Sequence, residues 1–482
     1  MSKRVAIIGA GLAGMSAGIH LARKGIEVDV YELAPWAGGM CTSWQRGGYW
    51  FDGCVNWMVG LKQGDGFYRL YREVEAVEEN TPMYFCETII KEMDGVVYRI
   101  PMQVELFRAF LKGIAPGDAK EIDGLCDDIK RIADCVIPVN IQTISEFFSS
   151  IKGFGGMMVM GKHMSKTLGE YVERFQSPII RKLLLDMMGP EFVAAGIFMM
   201  LGTRMGNNAG YPLGGARDIM RRMEAAFKQA GGRLHVNSPV EEILVEDGKV
   251  VGVRVKGQAH RSDVVIAACD MHTVLNKLLG GKYPHPQLDE MLREGKLFEP
   301  LALVSFGIKK KVGISYEEHW ECEIQTSPNT TAKSFLLRSF DFDPSAAPEG
   351  KSSVMVALEA PLAYWKTLRE TDKEAYHREK QRLADAVAAE IERRYPGFTQ
   401  EIEVTDVSTP VTYERLTNVY RASYEGFSPT PKAMKTRIQK TVPNLKNLLL
   451  CGQWTAAGGG ICTSVQDGKA AANTAARLVG RA

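Results

Sequence analysis

The clearest alternation of apolar and polar segments lies at the start of the chain. An unbroken apolar run at residues 5–8 predicts a short strand of a parallel sheet, because such strands are buried on both faces. A stretch of helical character follows and ends at Lys24-Gly25, a typical helix C-terminus. The segment 26–32 predicts a second strand. Together these segments predict a β–α–β unit.

The same alternation recurs in the middle and at the end of the chain. Apolar runs of strand length alternate there with segments in which apolar residues recur at helical spacing. Gly-Gly and Asp-Gly pairs mark the boundaries. The predicted elements are a helix ending near Ala230, a strand beginning at Arg233, a hairpin turning at Asp247-Gly248, a buried strand at 263–268, a long helix at 372–395, a strand at 448–451 and a helix at 463–479.

Length, charge and cysteine usage narrow the class of protein. A chain of 482 residues suggests two or more domains. The net charge of +2 excludes the basic surface that is typical of nucleic-acid-binding proteins. The nine cysteines and eight histidines show no metal-ligand spacing, so no metal site is predicted. Scattered cysteines of odd number favour a reduced, cytoplasmic protein.

No segment of the sequence has the pattern of a membrane span. The least polar stretch, 179–205, contains Arg181, Lys182, Asp186 and Glu191. A spanning helix needs roughly 20 largely uncharged residues, so no transmembrane segment is predicted. The first residues run straight into the first strand without the pattern of a cleavable leader.

The turn of the β–α–β unit carries the first candidate chemistry. Gly9, Gly11 and Gly14 have the Gly-x-Gly-x-x-Gly spacing that allows a tight turn, close approach to a pyrophosphate and close packing of helix on strand. The first helical turn, around Ala13, would present its free N–H groups to the phosphates. Glu32, 18 residues after Gly14, can accept hydrogen bonds from a ribose and disfavours a 2′-phosphate. The sequence therefore predicts a dinucleotide site that takes FAD or NAD rather than NADP.

A second glycine pair favours FAD. Gly38-Gly39 and Met40 follow the second strand, and Tyr49-Trp50-Phe51-Asp52 comes shortly after. This arrangement resembles FAD enzymes of the amine oxidase and phytoene desaturase superfamily, in which the backbone passes the extended cofactor a second time. An ordinary Gly-Gly turn is the alternative.

The resemblance extends over nearly the whole chain, with the motifs in the same order. It covers the group of phytoene desaturases, carotenoid cis–trans isomerases and retinol saturases. The matching segments are Ile114-Ala-Pro-Gly-Asp118, Tyr211-Pro-Leu-Gly-Gly215, Asn237-Ser-Pro-Val-Glu-Glu-Ile243, Val265-Ile-Ala-Ala-Cys-Asp270, Ser408-Thr-Pro-Val-Thr-Tyr-Glu-Arg415 and Cys451-Gly-Gln-Trp454.

The resemblance implies an α/β fold with a Rossmann-like FAD-binding domain of the glutathione reductase/amine oxidase type, interleaved with a substrate-binding domain. It also implies that the backbone of Val240 meets the adenine and that the chain from Gly452 onward follows the flavin. The expected domains are 1–85, 211–290 and 426–482 for FAD, and 86–210 and 291–425 for the substrate.

The triple glycine 458–460 is expected to lie against the isoalloxazine ring. Gly459, Gly460 and Ile461 are therefore candidate cofactor contacts, at the start of a helix whose N–H groups would point at the flavin. Two positions depart from the family pattern. Met40 stands where many relatives have Arg, and Gln453 where many have Asp or Glu.

The substrate side is less well defined by the sequence. Residues 145–210 are rich in Phe and Met, including Phe147 and Phe148, which suits either a tunnel for an apolar substrate or ordinary core packing. The glycine-rich segment 152–163 predicts a loop, facing a membrane or simply mobile. Aromatic residues that are candidate substrate contacts, with core packing as the alternative, are Trp57, Tyr413, Tyr424 and Trp454.

The resulting hypothesis is an FAD-dependent oxidoreductase that acts on C–C or C=C bonds of an apolar, carotenoid-like substrate, by desaturation, saturation or isomerisation. Only one dinucleotide fingerprint is visible, so electrons are expected to pass directly between the flavin and its partners. A flavin amine oxidase and a non-catalytic lipid carrier of the GDP-dissociation-inhibitor type are the alternatives. The sequence singles out no general acid or base.

Overall fold

The computed structural model describes residues 3–137 and 144–481, the side chains of residues 144–153 excepted. The strands are β1 Arg4–Ile8, β2 Glu27–Tyr31, β3 Ser43–Arg46, β4 Tyr49–Asp52, β5 Met58–Val59, β6 Met83–Tyr84, β7 Thr88–Met93, β8 Val96–Pro101, β9 Ala209–Pro212, β10 Arg233–His235, β11 Val240–Glu246, β12 Lys249–Val255, β13 Gln258–Arg261, β14 Val264–Ala267, β15 Leu301–Ile308, β16 Glu318–Ser327, β17 Thr330–Ser339, β18 Ser352–Glu359, β19 Ile402–Ser408 and β20 Leu448–Leu450.

The α-helices connect and cover these strands. They are α1 Leu12–Arg23, α2 Gly66–Glu73, α3 Val104–Ile114, α4 Ala119–Ala133, α5 Ile144–His163, α6 Leu168–Val172, α7 Pro178–Met188, α8 Ala195–Met205, α9 Gly215–Gln229, α10 Pro286–Glu294, α11 Leu362–Thr371, α12 Lys373–Arg394, α13 Pro410–Thr417, α14 Pro431–Lys435 and α15 Ile461–Leu478.

The first sheet is fully parallel, with the strand order β10-β2-β1-β14-β20. Alternate side chains of β1 and β14 point to opposite faces. Ile7 and Ile266 pack against helices α1, α9 and α15 on one face, and Ala6 and Val265 pack toward the antiparallel sheet β11-β12-β13 on the other. The result is a three-layer Rossmann-like unit, and the predicted α/β class is confirmed.

The second large sheet has seven strands in the order β19-β15-β18-β17-β16-β7-β8. Its pairs are antiparallel except for β16 with β7. Helix α12 covers one face through Leu383, Val387 and Ile391, the apolar stripe that the helical spacing predicted. Leu303 and Met355 on the opposite face belong to the core shared with the first sheet. The seven-stranded sheet therefore lies between α12 and the Rossmann-like unit.

Helices α3 to α8 pack around a separate apolar core with strands β7 and β8. Within this group the expected loop at 152–163 is wrong, because the segment forms the C-terminal part of α5. One of its glycines serves helix packing: a Cβ on Gly156 would lie 2.9 Å from the Sγ of Cys135, which follows α4. Phe147 and Phe148, which the sequence suggested for a tunnel, lie outside the described side chains.

Two findings concern the surface and the cysteines. Within residues 3–137 and 144–481, none of the helices combines the length and the apolar character that crossing a bilayer requires. The stretch 179–205 forms two short helices, α7 and α8, that face the apolar core of the helical group. All nine cysteines are free thiols.

Candidate functional site: a dinucleotide cradle

The cradle begins at the turn between β1 and α1, and each of its three glycines meets a different constraint. Gly9 has φ +98°, which favours glycine. A Cβ on Gly14 would lie 2.0 Å from the carbonyl oxygen of Gly9, so no other residue lets α1 pack against the strand. A Cβ on Gly11 would make only an ordinary contact, 3.8 Å from the oxygen of Gly38. Gly11 thus leaves room for a ligand, whereas Gly14 closes a protein contact.

The N-terminus of α1 has the features of an anion site. Gly11 is the N-cap and provides no side-chain hydrogen bond, so the first N–H groups, including that of Ala13, have no cap from this residue. The partial positive charge of the helix end adds to these donors. A pyrophosphate bound here would take the place of the missing cap.

Glu32 closes the cradle at the end of β2. Its carboxylate is buried and accepts hydrogen bonds from the backbone N–H groups of Ala10 at 2.7 Å and Ala34 at 2.8 Å. Burial raises the pKa of Glu32, and these N–H groups oppose that effect. The amides fix the carboxylate beside the glycine turn, and each oxygen keeps a lone pair for a ribose hydroxyl.

The second glycine segment, Gly38-Gly39, lies directly against the glycine turn between β1 and α1. The N–H of Gly38 donates to the oxygen of Ala10 at 2.9 Å, and a Cβ on Gly39 would lie 3.4 Å from the Cα of Gly11. Both glycines have positive φ, +143° for Gly38 and +58° for Gly39. The two glycine-rich segments therefore form one continuous wall.

Met40, which stands where many relatives have Arg, offers no polar group to a phosphate. It packs against the apolar core of the Rossmann-like unit, and its Sδ lies 3.8 Å from the Oγ1 of Thr417 at the end of α13. A phosphate bound here would therefore be recognised by backbone N–H groups and the helix end. Val240 begins β11, two residues after Ser238, whose N–H donates to the oxygen of Glu32 at 2.8 Å. That bond holds the segment before Val240 beside Glu32.

The C-terminal loop reaches the same wall from the other side. Gly452, with φ +106°, lies against α1, since a Cβ there would be 3.6 Å from the Cβ of Ala13. Its N–H donates to Asp467 of α15 at 2.8 Å, and the hydroxyl of Thr455 donates to the same oxygen at 2.8 Å. Asp467 also forms an ion pair with Lys440. This anchor could not be predicted from the sequence, because Asp467 lies inside a helix of small residues.

The triple glycine owes its form first to protein contacts. A Cβ on Gly459 would lie 2.9 Å from both the Cβ of Gln453 and the oxygen of Glu425. Gly460, with φ +129°, is the N-cap of α15, and Ile461 is the first residue of that helix. The side-chain amide of Gln453 donates to the oxygen of Tyr424 at 3.3 Å. The neutral Gln453 thus ties this loop to the segment 423–427.

Glu425, which the sequence analysis did not single out, is the acid of the site with the most unusual environment. Its Oε1 lies 3.8 Å from the point where a Cβ on Gly460 would be, beside the N-terminus of α15. Among the described residues no hydrogen-bond donor or cation pairs with this carboxyl. Burial raises the pKa of Glu425 from 4.5 to about 7. A carboxyl of this kind exchanges protons near neutral pH.

The four aromatic candidates do not form one cluster. Trp57 packs against the helical group. Trp454 is buried in the Rossmann-like core, edge-on to Phe427 at 5.3 Å between ring centroids, and the Tyr424 ring lies 5.2 Å from Phe298. Tyr413 packs against both the Rossmann-like core and the core shared with the seven-stranded sheet, and its hydroxyl is buried without a partner.

Asp52 organises the junction between the cradle and the seven-stranded sheet. It accepts hydrogen bonds from the N–H groups of Cys54, Val55 and Ala216 and from the hydroxyl of Tyr211, at 2.8–3.0 Å. Burial raises its pKa, against the effect of these amides and of Arg338. Asp52 therefore holds the segment after β4 against the start of α9.

A separate cavity of about 310 Å³ lies on the other side of α13. Basic side chains line it, among them Arg46, Lys380 and Arg415. On the opposite side of α13, Tyr413 packs against the core shared by the two sheets and Thr417 contacts Met40. Within the described part of the chain, no group of three or more His, Cys, Asp or Glu residues is arranged to hold a metal ion.

The residues of the cradle fit FAD. The uncapped helix end suits the pyrophosphate, the fixed Glu32 carboxylate suits a ribose, and the second glycine wall and Gly452 continue the surface beyond them. Comparison with known protein families decides the assignment: the model of the flavin containing amine oxidoreductases matches residues 12–476. The chain belongs to this family.

Curated relatives of this flavin oxidoreductase match over most of both chains. The chain is 23% identical over 456 residues to prolycopene isomerase 1, chloroplastic, of an Oncidium hybrid cultivar, covering 85% of this chain and 73% of the relative. It is 23% identical over 494 residues to the 1-hydroxycarotenoid 3,4-desaturase of Flavobacterium sp. (strain P99-3), with coverage of 95% and 96%. It is 24% identical over 502 residues to the all-trans-retinol 13,14-reductase of Danio rerio, with coverage of 93% and 82%.

Solved structures confirm the fold of this chain. An oxidoreductase from Methanosarcina mazei superposes with a TM-score of 0.64 at 16% identity, covering 97% of this chain and 99% of that one. Putrescine oxidase bound to putrescine superposes with a TM-score of 0.64 at 14% identity, with coverage of 98% and 99%. At such identities the likeness concerns the fold. The predicted family, cofactor and enzyme class are confirmed.

Proposed function

We propose that this flavin oxidoreductase acts on C–C or C=C bonds of an apolar, polyene-like substrate. The observation that carries the proposal is the chain-long match to relatives named for isomerisation, desaturation and reduction of carotenoids and retinol. The amine oxidases resemble the chain at the level of fold alone.

The side chains around the C-terminal end of the cradle support an apolar substrate. Tyr413, Ile461 and Cys462 border the core shared by the two sheets, and Trp454 packs edge-on against Tyr420 and Phe427. Aromatic and aliphatic groups here exclude water from a reacting bond and hold a flat polyene by shape.

The residues that would hold FAD are those of the cradle. Gly9, Gly11, Ala13 and Gly14 would receive the pyrophosphate at α1, and the remaining contacts would come from Glu32, Gly38, Gly39, Met40, Val240, Gly452, Gly459, Gly460 and Ile461. Bound FAD supplies hydride-transfer chemistry. Glu425 would hold or release a proton beside the N-terminus of α15, the one step of acid–base character that these residues offer.

The proposed division into domains follows the two sheets. Every strand of the parallel sheet lies in 1–85, 211–290 or 426–482, which supports an FAD-binding domain of these three segments. Every strand of the seven-stranded sheet lies in 86–210 or 291–425, which supports a substrate-binding domain.

The exposed face of α5 supports peripheral association with a bilayer, from which an apolar substrate can be drawn. Phe154 is 59% exposed and Met158 is 61% exposed, and Met157 lies between them. Large apolar side chains exposed together are typical of an interfacial helix. We expect wild-type protein to co-sediment with anionic liposomes and the double variant F154S/M158S to stay in the supernatant; equal behaviour would contradict this part of the proposal.

The function is tested on purified protein loaded with FAD. Under anaerobic conditions, a partly saturated polyene that is desaturated should bleach the oxidised flavin absorbance. In the opposite direction, a polyene that is reduced should reoxidise chemically reduced flavin. The product is identified by chromatography in both cases. An isomerase would change the double-bond geometry of the polyene only when the flavin is reduced. Peroxide release with amines, combined with no response to any polyene, would contradict the proposal.

A further inference from the structure

The inner face of the seven-stranded sheet carries buried polar atoms that have no partner. Arg338 on β17 pairs across the sheet with Met355, and Met355 pairs with Ser305 on β15, so the three side chains lie in one row on one face. Met355 packs into the core shared with the Rossmann-like unit, which identifies the face. The Nε of Arg338 and the Oγ of Ser305 are buried and make no hydrogen bond.

Two more unpaired atoms adjoin this row. The Oδ1 of Asn56 is buried and unpaired, and its neighbour Val55 accepts a hydrogen bond from the Nη1 of Arg338 at 3.1 Å. The hydroxyl of Tyr413 on α13 is likewise buried and unpaired, and the positive charge of Arg338 acts on it to oppose the rise that burial causes in its pKa. We call the side chains of Arg338, Ser305, Asn56 and Tyr413 the inner polar set.

The charge of Arg338 is the strongest sign that a ligand is missing from the set. The residue is only 5% exposed, and no carboxylate of the described residues lies within ion-pair distance of it. Asp52, whose charge also acts at this site, has both oxygens engaged by four other donors. A buried guanidinium without a paired anion is costly, so proteins place such groups where an anion binds.

The chemistry of the set selects the anion. The N–H at Nε of Arg338 and the O–H of Tyr413 are donors, the Ser305 hydroxyl donates or accepts, and the Asn56 amide offers either its oxygen or, after rotation, its nitrogen. Around the set lie Phe340, Tyr316 and Met355, whose apolar surface does not suit a hydrated polyanion. A single carboxylate on an apolar body satisfies both the donors and the lining.

The position of the set separates it from the phosphate and ribose contacts. Arg338 and Ser305 stand on the seven-stranded sheet, whereas the cradle is built from the Rossmann-like unit. Tyr413 connects the two, because Thr417, one turn later on α13, contacts Met40 of the second glycine wall. The set thus lies between the second glycine wall of the cradle and the seven-stranded sheet.

We propose that Arg338 and Tyr413, aided by Ser305 and Asn56, form a subsite that binds a carboxylate carried by the apolar substrate. This inference rests on the proposed function and narrows its substrate class from hydrocarbon polyenes to polyene acids. Arg338 fixes the acid end by charge, and the aromatic surroundings hold the chain beside the cradle.

The subsite is tested by binding rather than by turnover. FAD-loaded protein is titrated anaerobically with all-trans-retinoic acid and with its methyl ester, which keeps the shape and removes the charge, and binding is followed by quenching of tryptophan fluorescence. Wild-type protein should bind the acid about tenfold more tightly than the ester or better. Because no reaction is required, the result stands whether or not either compound is converted, and a failure of the proposed C=C chemistry remains a separate outcome.

Three variants locate the effect. R338M should lower the affinity for the acid about tenfold or more and leave the ester and FAD affinities within about threefold. Y413F, which removes only the hydroxyl, should lower the acid affinity about three- to tenfold and serves also if R338M does not fold. K333M removes a surface charge that lies on the same strand as Arg338 and is paired with Glu323 of β16. This control should change neither the acid and ester affinities nor the FAD affinity.

Two results would overturn the inference. Equal wild-type affinities for acid and ester would show that no carboxylate is recognised. A loss of FAD affinity in R338M with an unchanged ratio of acid to ester affinity would assign the arginine to the cofactor instead.

Discussion

Gly14 on α1 packs so closely on Gly9 that a Cβ added to Gly14 would lie 2.0 Å from the Gly9 carbonyl oxygen. A Cβ on Gly11, two residues after Gly9, would make only an ordinary contact, 3.8 Å from the oxygen of Gly38. Packing within the protein therefore requires glycine at position 14, whereas it leaves room for a methyl group at position 11.

Alanine at these two positions should separate folding from cofactor binding. G14A must push helix and strand apart, which we expect to destabilise the protein by about 1–3 kcal/mol and to impair FAD retention with it. G11A meets no protein atom closer than 3.8 Å, so its melting temperature without FAD should stay near that of wild type while FAD affinity falls about tenfold or more. Thermal melts of FAD-free protein and flavin fluorescence titrations measure both effects. A G11A variant that binds FAD normally would contradict the assigned role.

Asp467 should prove to be the anchor of the C-terminal loop. D467N removes the charge that holds Lys440, the Gly452 N–H and the Thr455 hydroxyl, and we expect a loss of about 2–4 kcal/mol in the free energy of unfolding. Urea denaturation measures the loss. D385N, at an exposed helix position where Asp385 accepts from Gln381 and from no other donor of the described residues, is the control and should cost less than about 0.5 kcal/mol.

Glu425 should make stability fall as pH rises through its titration range. The folded protein holds this proton up to about pH 7, whereas the unfolded chain releases it near 4.5, so between these values the folded state binds more protons. The stabilisation is complete below about pH 4.5 and is lost as pH approaches 7 and above. The difference in unfolding free energy between wild type and E425Q should therefore shift by about 2–3 kcal/mol between pH 5 and pH 8, in favour of the variant at the higher pH. The exposed change E370Q should show no such shift.

Two glycines of α5 provide a matched pair on one helix. A Cβ on Gly161 meets nothing within 4 Å, whereas one on Gly156 would lie 2.9 Å from Cys135. G161A should stabilise the protein by about 0.5–1 kcal/mol, because alanine favours the helix, and G156A should destabilise it by about 1–3 kcal/mol. Stabilisation by both would show that α5 does not pack closely on the segment after α4.

This pair also shows what the sequence could and could not predict. The β–α–β unit, the hairpin at Asp247-Gly248 and the long helix α12 follow from local periodicity, which the structure reproduces. The segment 152–163 reads locally as a loop because glycine disfavours helices, whereas in the structure Gly156 packs on Cys135 and Val159 is buried in the core of the helical group. Tertiary packing, which one sequence does not display, decided that element.

The candidate site divides in the same way. The glycines and Glu32 could be predicted because their spacing encodes a backbone shape. Asp467, Glu425 and Arg338 act through partners 12 or more residues distant, or through the lack of a partner, and neither leaves a local signature. One signal was available for Arg338: a single cation inside the apolar run Phe335-Leu-Leu-Arg-Ser-Phe340.

The parallel sheet has a consequence for the order of events during protein synthesis. Its edge strand β20 and the loop from Gly452 to Gly460 are synthesised more than 400 residues after β1 and β2. The glycine turn after β1 therefore waits, with its sheet incomplete, until β20 has been translated. A product terminated before β20 would lack both the edge strand and the loop from Gly452, so we expect it to forgo the stabilisation that bound FAD provides.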